Sequence, residues 1–357
     1  MSDVRVDSDV FRAEVRSSLR GVATAWDDLV DRSPLPSPFL RSWCVEAVAG
    51  REPLFVLAFR DDRLLGGMAL EKDAVLGVER LRAVGYSLSA DHLDLVADPA
   101  HVDDVVSALR AWFTRPGARI IDLDGLSENA RVIDALPPPF RQFEFDAAPW
   151  SPLPATLDEY FALHPELPGL VDRPRRRLER AGVEYRVADP DETGAALERL
   201  RHLHEAHWGD RSAFLPYFDQ FARAATEGAA RGEVIVHELW AKDDVVATDV
   251  SFEVAGRLSS YQCARDDDRR WRGAGNWLLA LAVADACERG CHEFDLLRGA
   301  EPYKEQWASD ARPLVHAIAA WGWRARLVVA LLPTARRAQS TMKRLAPAWT
   351  RRRQASS

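Results

Sequence analysis

Arg270-Trp-Arg-Gly-Ala-Gly-Asn276 lies between a strand-like run, Ser259-Ser-Tyr-Gln-Cys-Ala-Arg265, and an apolar stretch from Trp277 to Cys287. The apolar stretch is rich in Ala and Leu, so it reads as a buried helix that stops at Arg289-Gly290. His292-Glu-Phe-Asp-Leu-Leu297 then reads as another strand. A glycine-rich turn feeding a helix leaves backbone N–H groups unpaired at the positive end of the helix dipole. That combination suits a diphosphate. Gly273 and Gly275 would let the backbone approach it closely, with Ala274 and Asn276 completing the loop. Arg270 and Arg272 would add charge-assisted contacts. An ordinary surface turn opening a helix fits the same spacing, because short glycine patterns recur by chance.

Length and composition set the frame. The chain has 357 residues, enough for about two domains. Its 47% hydrophobic and 29% charged content is that of a soluble globular protein. The opening Met1-Ser-Asp-Val-Arg-Val-Asp-Ser-Asp9 carries acids and no apolar core, so no secretory signal is expected there. No apolar run approaches the roughly 20 residues needed to span a bilayer. A cytoplasmic location is expected. Cys44, Cys263, Cys287 and Cys291 are too few and too scattered for a disulfide framework, and Cys287 and Cys291 read as buried thiols rather than a metal pair.

Two halves repeat one order of elements. In the first, helix-like segments cover Val22–Asp31 and Phe39–Val48, on either side of the break Ser33-Pro-Leu-Pro-Ser-Pro38. A hairpin follows over Leu54–Phe59 and Leu64–Leu70, then a helix over His101–Phe113 and a strand over Arg119–Asp124. Pro149 to Pro154 is the expected linker. In the second half, helices are expected over Leu157–Leu163, Arg175–Gly182, Glu192–Trp208 and Tyr217–Gly228. Strands are expected over Val183–Ala188, Glu233–Trp240 and Val245–Glu253, ahead of the glycine loop. Only the second half carries that loop.

Arg-x-x-Gly-x-Gly at 270–275 is similar to the acyl-CoA pyrophosphate loop of GNAT-type acyltransferases. The run Glu293-Phe-Asp-Leu-Leu-Arg-Gly-Ala-Glu-Pro-Tyr-Lys-Glu-Gln-Trp307 resembles a motif of the CelD/FemAB-like branch of that superfamily, which is tied to cellulose and exopolysaccharide synthesis and to peptidoglycan aminoacyl transfer. The resemblance extends upstream through Val245–Arg265 to Ser37-Pro-Phe-Leu-Arg-Ser-Trp43, so it spans roughly residues 30–320. It implies an α/β (α+β) fold of tandem GNAT-like domains, each a mixed, mostly antiparallel sheet flanked by helices. The divisions expected are 1–152 for a degenerate first domain, 153–322 for the domain with the loop, and 323–357 for a basic tail. It also implies acyl-CoA, acetyl-CoA first, as co-substrate without a metal, and direct attack by an amine or a saccharide hydroxyl. The CelD-like group more often has Ser-Pro-Gly where this chain has Arg-Gly-Ala-Gly, which moves the loop toward CoA-binding members. A FemAB-like transferase using charged tRNA is the first alternative. A non-catalytic, membrane-associated accessory protein of polysaccharide synthesis is the second.

Such a reaction needs a donor for the oxyanion, an acceptor for the amine proton and an acid for the leaving thiolate. Tyr303, six residues past Leu297, is close to where GNAT enzymes often place the tyrosine that protonates the thiolate; packing of the Glu-Pro-Tyr-Lys turn is its other reading. Glu301 is expected to orient Lys304 or Arg298, or to take the amine proton. Lys304 and Arg298 are candidates for phosphate or substrate contact, and Trp307 for the core. Asp249 shares a strand face with Ala247 and Ser251. It reads either as a base lining the cleft or as a solvent-facing acid. His204-Glu-Ala-His207 misses metalloprotease spacing because its histidines are three apart. His202 and His204 are read as helix-surface or interface groups. His207 and Trp208, at a helix end, are candidates for substrate contact. The basic segment Arg173-Pro-Arg-Arg-Arg-Leu-Glu-Arg180 fits either an anionic ligand or a solvated helix face.

Charge is uneven along the chain. The net charge is −8, from 47 basic and 55 acidic residues, yet ten basic and no acidic residues follow Asp310. Trp321 to Leu332 mixes Trp321, Trp323 and aliphatics with Arg324 and Arg326. This end reads as a last structural element with a basic tail, or as a peripheral contact with an anionic membrane face, or as an RNA-binding arm.

Overall fold

The computed structural model describes residues 6–8, 11–50, 52–299 and 301–331. The chain divides into two compact units, one formed by Met1–Ala147 with Arg312–Ser357 and the other by Ala148–Ala311. Both are mixed sheets of mostly antiparallel strands flanked by helices.

In the first unit, strand Phe11–Arg16 precedes helices Ala23–Asp31 and Ser42–Val48. Antiparallel strands Pro53–Arg60, Arg63–Val75 and Val78–Ala83 follow, then helix Val102–Phe113 and strand Arg119–Ser127. That last strand runs parallel to Val78–Ala83, with Glu79 opposite Arg119 and Arg82 opposite Asp122. The intervening helix makes this parallel crossover, which no short turn could. Val105, Val106, Leu109, Trp112 and Phe113 form its buried stripe.

The second unit repeats the plan. Strand Val183–Val187 precedes helices Thr193–Trp208 and Phe218–Ala229. Antiparallel strands Val234–Ala241, Asp244–Val254 and Arg257–Arg265 lead to helix Ala274–Glu288 and strand Glu293–Asp295. Glu293–Asp295 again runs parallel to the strand before the helix. Helix Ala274–Glu288 buries Leu278, Val283 and Ala286 against Leu239, Ala247, Leu258 and Phe294. Each large aliphatic buried in this way contributes about 1.5–3 kcal/mol.

The expected order of elements is therefore present, but the expected boundaries are not where the chain divides. Strand Asp310–Trp321 pairs with Arg119–Ser127 in the first unit, Leu314 opposite Ser127 and Trp321 opposite Arg119. Trp150–Pro152 pairs with Glu293–Asp295 in the second. Each unit is closed by a strand that follows the other repeat in sequence. The divisions fall at 147/148 and 311/312 rather than after 152 and 322. The Pro149–Pro154 segment is correspondingly no loose linker, because residues up to Pro152 belong to strand Phe140–Pro152. Proline costs a strand only its donor, and here the Pro149 carbonyl accepts the Leu296 N–H at 2.9 Å. At the basic end Trp323–Leu331 is a helix, the last structural element that one reading of this end expects. Residues 332–357 lie outside the described residues.

Candidate functional site

The glycine loop is built around one left-handed residue. Gly273 is the N-cap of helix Ala274–Glu288, with φ +85°. A side chain there would be strained, and its Cβ would also come within 2.6 Å of Pro174 in helix Leu167–Arg180. Gly275 differs, because a Cβ there would meet nothing within 4 Å. Gly273 is needed for packing, whereas Gly275 leaves an open face. The helix begins three residues earlier than expected, so Ala274, Gly275 and Asn276 form its first turn.

Among the described residues no acceptor takes the N–H of Ala274, Gly275 or Asn276, and the first capping bond runs from Trp277 N–H to the Gly273 carbonyl at 3.2 Å. The first turn holds no acid and the N-cap supplies no side-chain bond. The corresponding helix of the first unit is the opposite. Asp103 and Asp104 occupy the first turn of Val102–Phe113, and Asp98 accepts the Ala100 N–H just before it. An anion would be attracted to one helix start and repelled by the other.

Cations surround the open start. Arg177 donates to the Arg272 carbonyl, bringing the basic helix to the loop. Arg173, Arg176 and Arg272 are exposed and have no carboxylate partner among the described residues, while Arg175 is shared by Asp172 and Glu179. Arg270 departs from its expected role. Its guanidinium is 2.8 Å from Asp268, which holds it above its ordinary pKa, and lies over the Trp271 ring. On the other flank His207 Nδ1 is 2.5 Å from Asp267, which ties the end of helix Thr193–Trp208 to the loop. Trp208 beside it is 45% exposed.

A wedge opens below the loop. Strands Arg257–Arg265 and Glu293–Asp295 pair over Arg257, Leu258 and Ser259, where Arg257 binds Glu293 at 2.7 Å and Asp295 at 2.8 Å. Beyond Asp295 the second strand ends and the chain turns at Leu297, φ +54°. The edge of 260–265 then has no strand beside it on that side among the described residues.

Tyr303, Cys263, Asp249 and Glu301 gather at this wedge. Tyr303 keeps 37% of its surface, yet its phenol is held far above the ordinary range, first by desolvation and then by the charges of Cys263, Glu301 and Asp249. The Cys263 thiol, on an exposed residue, is likewise pushed up to about 12 by desolvation, with Asp249 adding to it. Asp249 faces no solvent, which overturns its reading as a solvent-facing acid. It is fully buried and accepts from Ser251 Oγ at 2.5 Å and Ser260 Oγ at 2.7 Å. Burial raises its pKa.

The Leu296–Trp307 segment is largely a clamp. Lys304, expected at a phosphate or substrate, is 7% exposed and donates to the carbonyl of Arg298, with Glu301 Oε2 at 3.1 Å. Glu301 does orient Lys304, as one reading of the sequence had it. Gly299, φ +130°, allows this because a Cβ would run into both Glu301 and Lys304. Trp307 is in the core, stacked on Tyr160 and edge-on to Phe294.

Strand register brings His237, which sequence reasoning missed, into line with two residues it named. His237, Asp249 and Cys263 are cross-strand partners in one row. His237 is buried, 2.8 Å through Nδ1 from the Tyr185 hydroxyl, and its Nε2 has no partner among the described residues. Desolvation lowers its pKa to about 4. Strand register carries no local signal, so these groups could not be grouped beforehand. His204 is a further correction. It turns inward, 2.8 Å from Ser212 Oγ, because the chain folds back just after the helix.

The architecture defines a GNAT-like fold built twice in one chain. Residues 171–305 match the family model described as an acetyltransferase (GNAT) domain. No curated protein matches the chain. Among solved structures, the C-terminal domain of a putative lysylphosphatidylglycerol synthetase from Agrobacterium fabrum is 14% identical, with 87% of this chain and 94% of that one covered at a TM-score of 0.57. FemX is 10% identical, with 83% and 95% covered at 0.60. L-PGS from Bacillus licheniformis is 12% identical, with 83% and 91% covered at 0.51. At these identities the likeness is one of fold.

Proposed function

We propose that the protein is an acyltransferase that moves an acyl group, acetyl first, from a CoA thioester to an amine or sugar acceptor. One observation carries the reading: the start of helix 274–288 is uncapped, free of acid, open at Gly275 and ringed by arginines. Three free N–H groups on a 15-residue helix favour a diphosphate there. Arg272, Arg176 and Arg177 are placed for its oxygens or for a further phosphate.

A thioester supplies the activated acyl carbon, and we assign its arm to the wedge beside 260–265. Attack by the amine forms the C–N bond and breaks the C–S bond. Tyr303 carries its proton at neutral pH, and we assign to it the transfer to the departing sulfur. Glu301, held by Lys304 and reached by water, is the base we favour. Asp249 acts behind Tyr303, through charge, rather than on the acceptor. His207 and Trp208 stand at the acceptor side of the loop. The cellulose- and exopolysaccharide-associated branch remains the reading of the Glu293–Trp307 motif, and it makes a saccharide amine the first acceptor class to try.

A second reading is aminoacyl transfer from charged tRNA, which the exposed arginines of helix 167–180 favour. The test is release of free thiol from acetyl-CoA on addition of amino sugars or polyamines. Acceptor-dependent release lost in Tyr303→Phe supports acyl-CoA chemistry. Release that never exceeds the spontaneous rate, together with tight binding of tRNA, would replace it by the second reading.

A further inference from the structure

An apolar cluster in the first unit has no partner among the described residues. Helix Trp323–Leu331 buries Ala325 and Val328 against Val78, Ile120 and Ala320. On its other side Trp323, Leu327 and Leu331 are 75%, 54% and 67% exposed. Their i, i+4, i+8 spacing makes one stripe. A helix that needs one apolar face has two.

The hairpin beside it repeats the anomaly. Strands Arg63–Val75 and Val78–Ala83 are joined by Leu76-Gly77, with φ +50° and +73°. Positive φ at both positions is the type I′ turn, whose first residue is by preference Asn, Asp or Gly. A leucine there is strained, and at 71% exposure it gains no burial in return. The tip adjoins the helix, since Val75 packs against the cluster that includes Ala325 and Val328, and a Cβ on Gly77 would lie 4.0 Å from the Arg324 guanidinium. Leu76 and the stripe therefore belong to one end of the unit.

Charge selects the partner. Arg324 and Arg326 flank the stripe, are exposed, and have no carboxylate partner among the described residues. They also line a recess of about 510 Å³ with Trp321 and Trp323. In sequence, 332–357 adds seven basic residues and no acid. Exposed aliphatics and a tryptophan framed by arginines match an interface of acyl chains below anionic headgroups. An acid-free tail adds long-range attraction to the same surface.

We infer that this end of the first unit, Leu76 with Trp323, Leu327 and Leu331, docks on an anionic lipid bilayer surface. The contact is peripheral, and it is independent of the glycine loop. The full chain should co-sediment with vesicles of equal phosphatidylglycerol and phosphatidylcholine, and far less with phosphatidylcholine alone. Leu76→Asn and Leu76→Asn/Trp323→Ser test the apolar part. Asn suits the left-handed position, so the single variant should unfold at the same temperature as the wild type or higher. Each variant should lower partition, the double one by about tenfold or more. Undiminished partition of the variants would leave association to the basic sequence alone and overturn the assignment. So would a wild type that ignores anionic vesicles, or a concentration-dependent dimer that the double variant abolishes.

Discussion

The Lys304 ammonium lies 2.6 Å from the carbonyl oxygen of Arg298, six residues earlier in the chain, and donates to it. With Gly299 beneath and Glu301 alongside, this bond shapes the turn that presents Tyr303 to the wedge. A lysine that reads as a phosphate ligand in sequence is thus the fastener of a loop.

Lys304→Met should accordingly destabilise the protein by about 1–3 kcal/mol, the cost of leaving buried carbonyls without a donor. Gly299→Ala should do at least as much, since it meets both a disfavoured φ and the Glu301–Lys304 pair. Urea unfolding of the two variants measures this. Wild-type stability in Lys304→Met would mean that the clamp carries no load.

Tyr303→Phe should behave in the opposite way. The side chain is more than a third exposed, so stability should change by less than about 0.5 kcal/mol. Turnover should fall about 10²–10⁴-fold if the hydroxyl is the acid, with little change in KM for the thioester. Steady-state kinetics beside a melting curve separates this from a packing role, which would lower stability instead.

His237 makes the second unit acid-sensitive. Its folded pKa of about 4 lies below the ordinary 6.5, so between those values the unfolded chain binds more protons. Stability is full above about pH 6.5 and declines as the pH falls toward 4, by up to a few kcal/mol. Asp249 works in reverse. Its raised folded pKa means that stability is lost as pH climbs from its unfolded pKa through the folded one. His237→Gln should flatten the acid limb of a stability–pH curve between 4 and 6.5. An unchanged limb would place the acid sensitivity elsewhere.

Much of this was legible beforehand, and the reasons for the remainder are specific. Residues 270–276 announced a helix start because glycine spacing and the change to an apolar run are both local. The hairpins and the long helices were visible for the same reason. Strands 140–152 and 310–321 were not, because they pair with strands far away in sequence and carry no strong alternation of their own. Arg270 and Arg272 look equivalent in sequence, and only the neighbouring Asp268 separates them. Asp249 reads in sequence as either a cleft-lining base or a surface acid, since nothing in its own strand reveals that Ser260, on the next one, completes its burial.

The two loop glycines should separate folding from binding. Gly273→Ala forces a side chain onto Pro174 at φ +85° and should destabilise. Gly275→Ala should stabilise by up to about 1 kcal/mol, as alanine does in an unobstructed helical turn, while weakening thioester binding. If both variants bound as well as the wild type, the loop would not be the anion site.

The most direct measurement is the heat stability of the full chain titrated with acetyl-CoA and longer acyl-CoAs, beside Gly275→Glu. A ligand at 1 mM with a Kd of about 10 μM adds about 2.7 kcal/mol to the folded state. The account predicts a rise of that order in the wild type and none in Gly275→Glu, whose side chain has room in the fold but places a carboxylate where the diphosphate belongs. No rise with any acyl-CoA, or an equal rise in the variant, would contradict it.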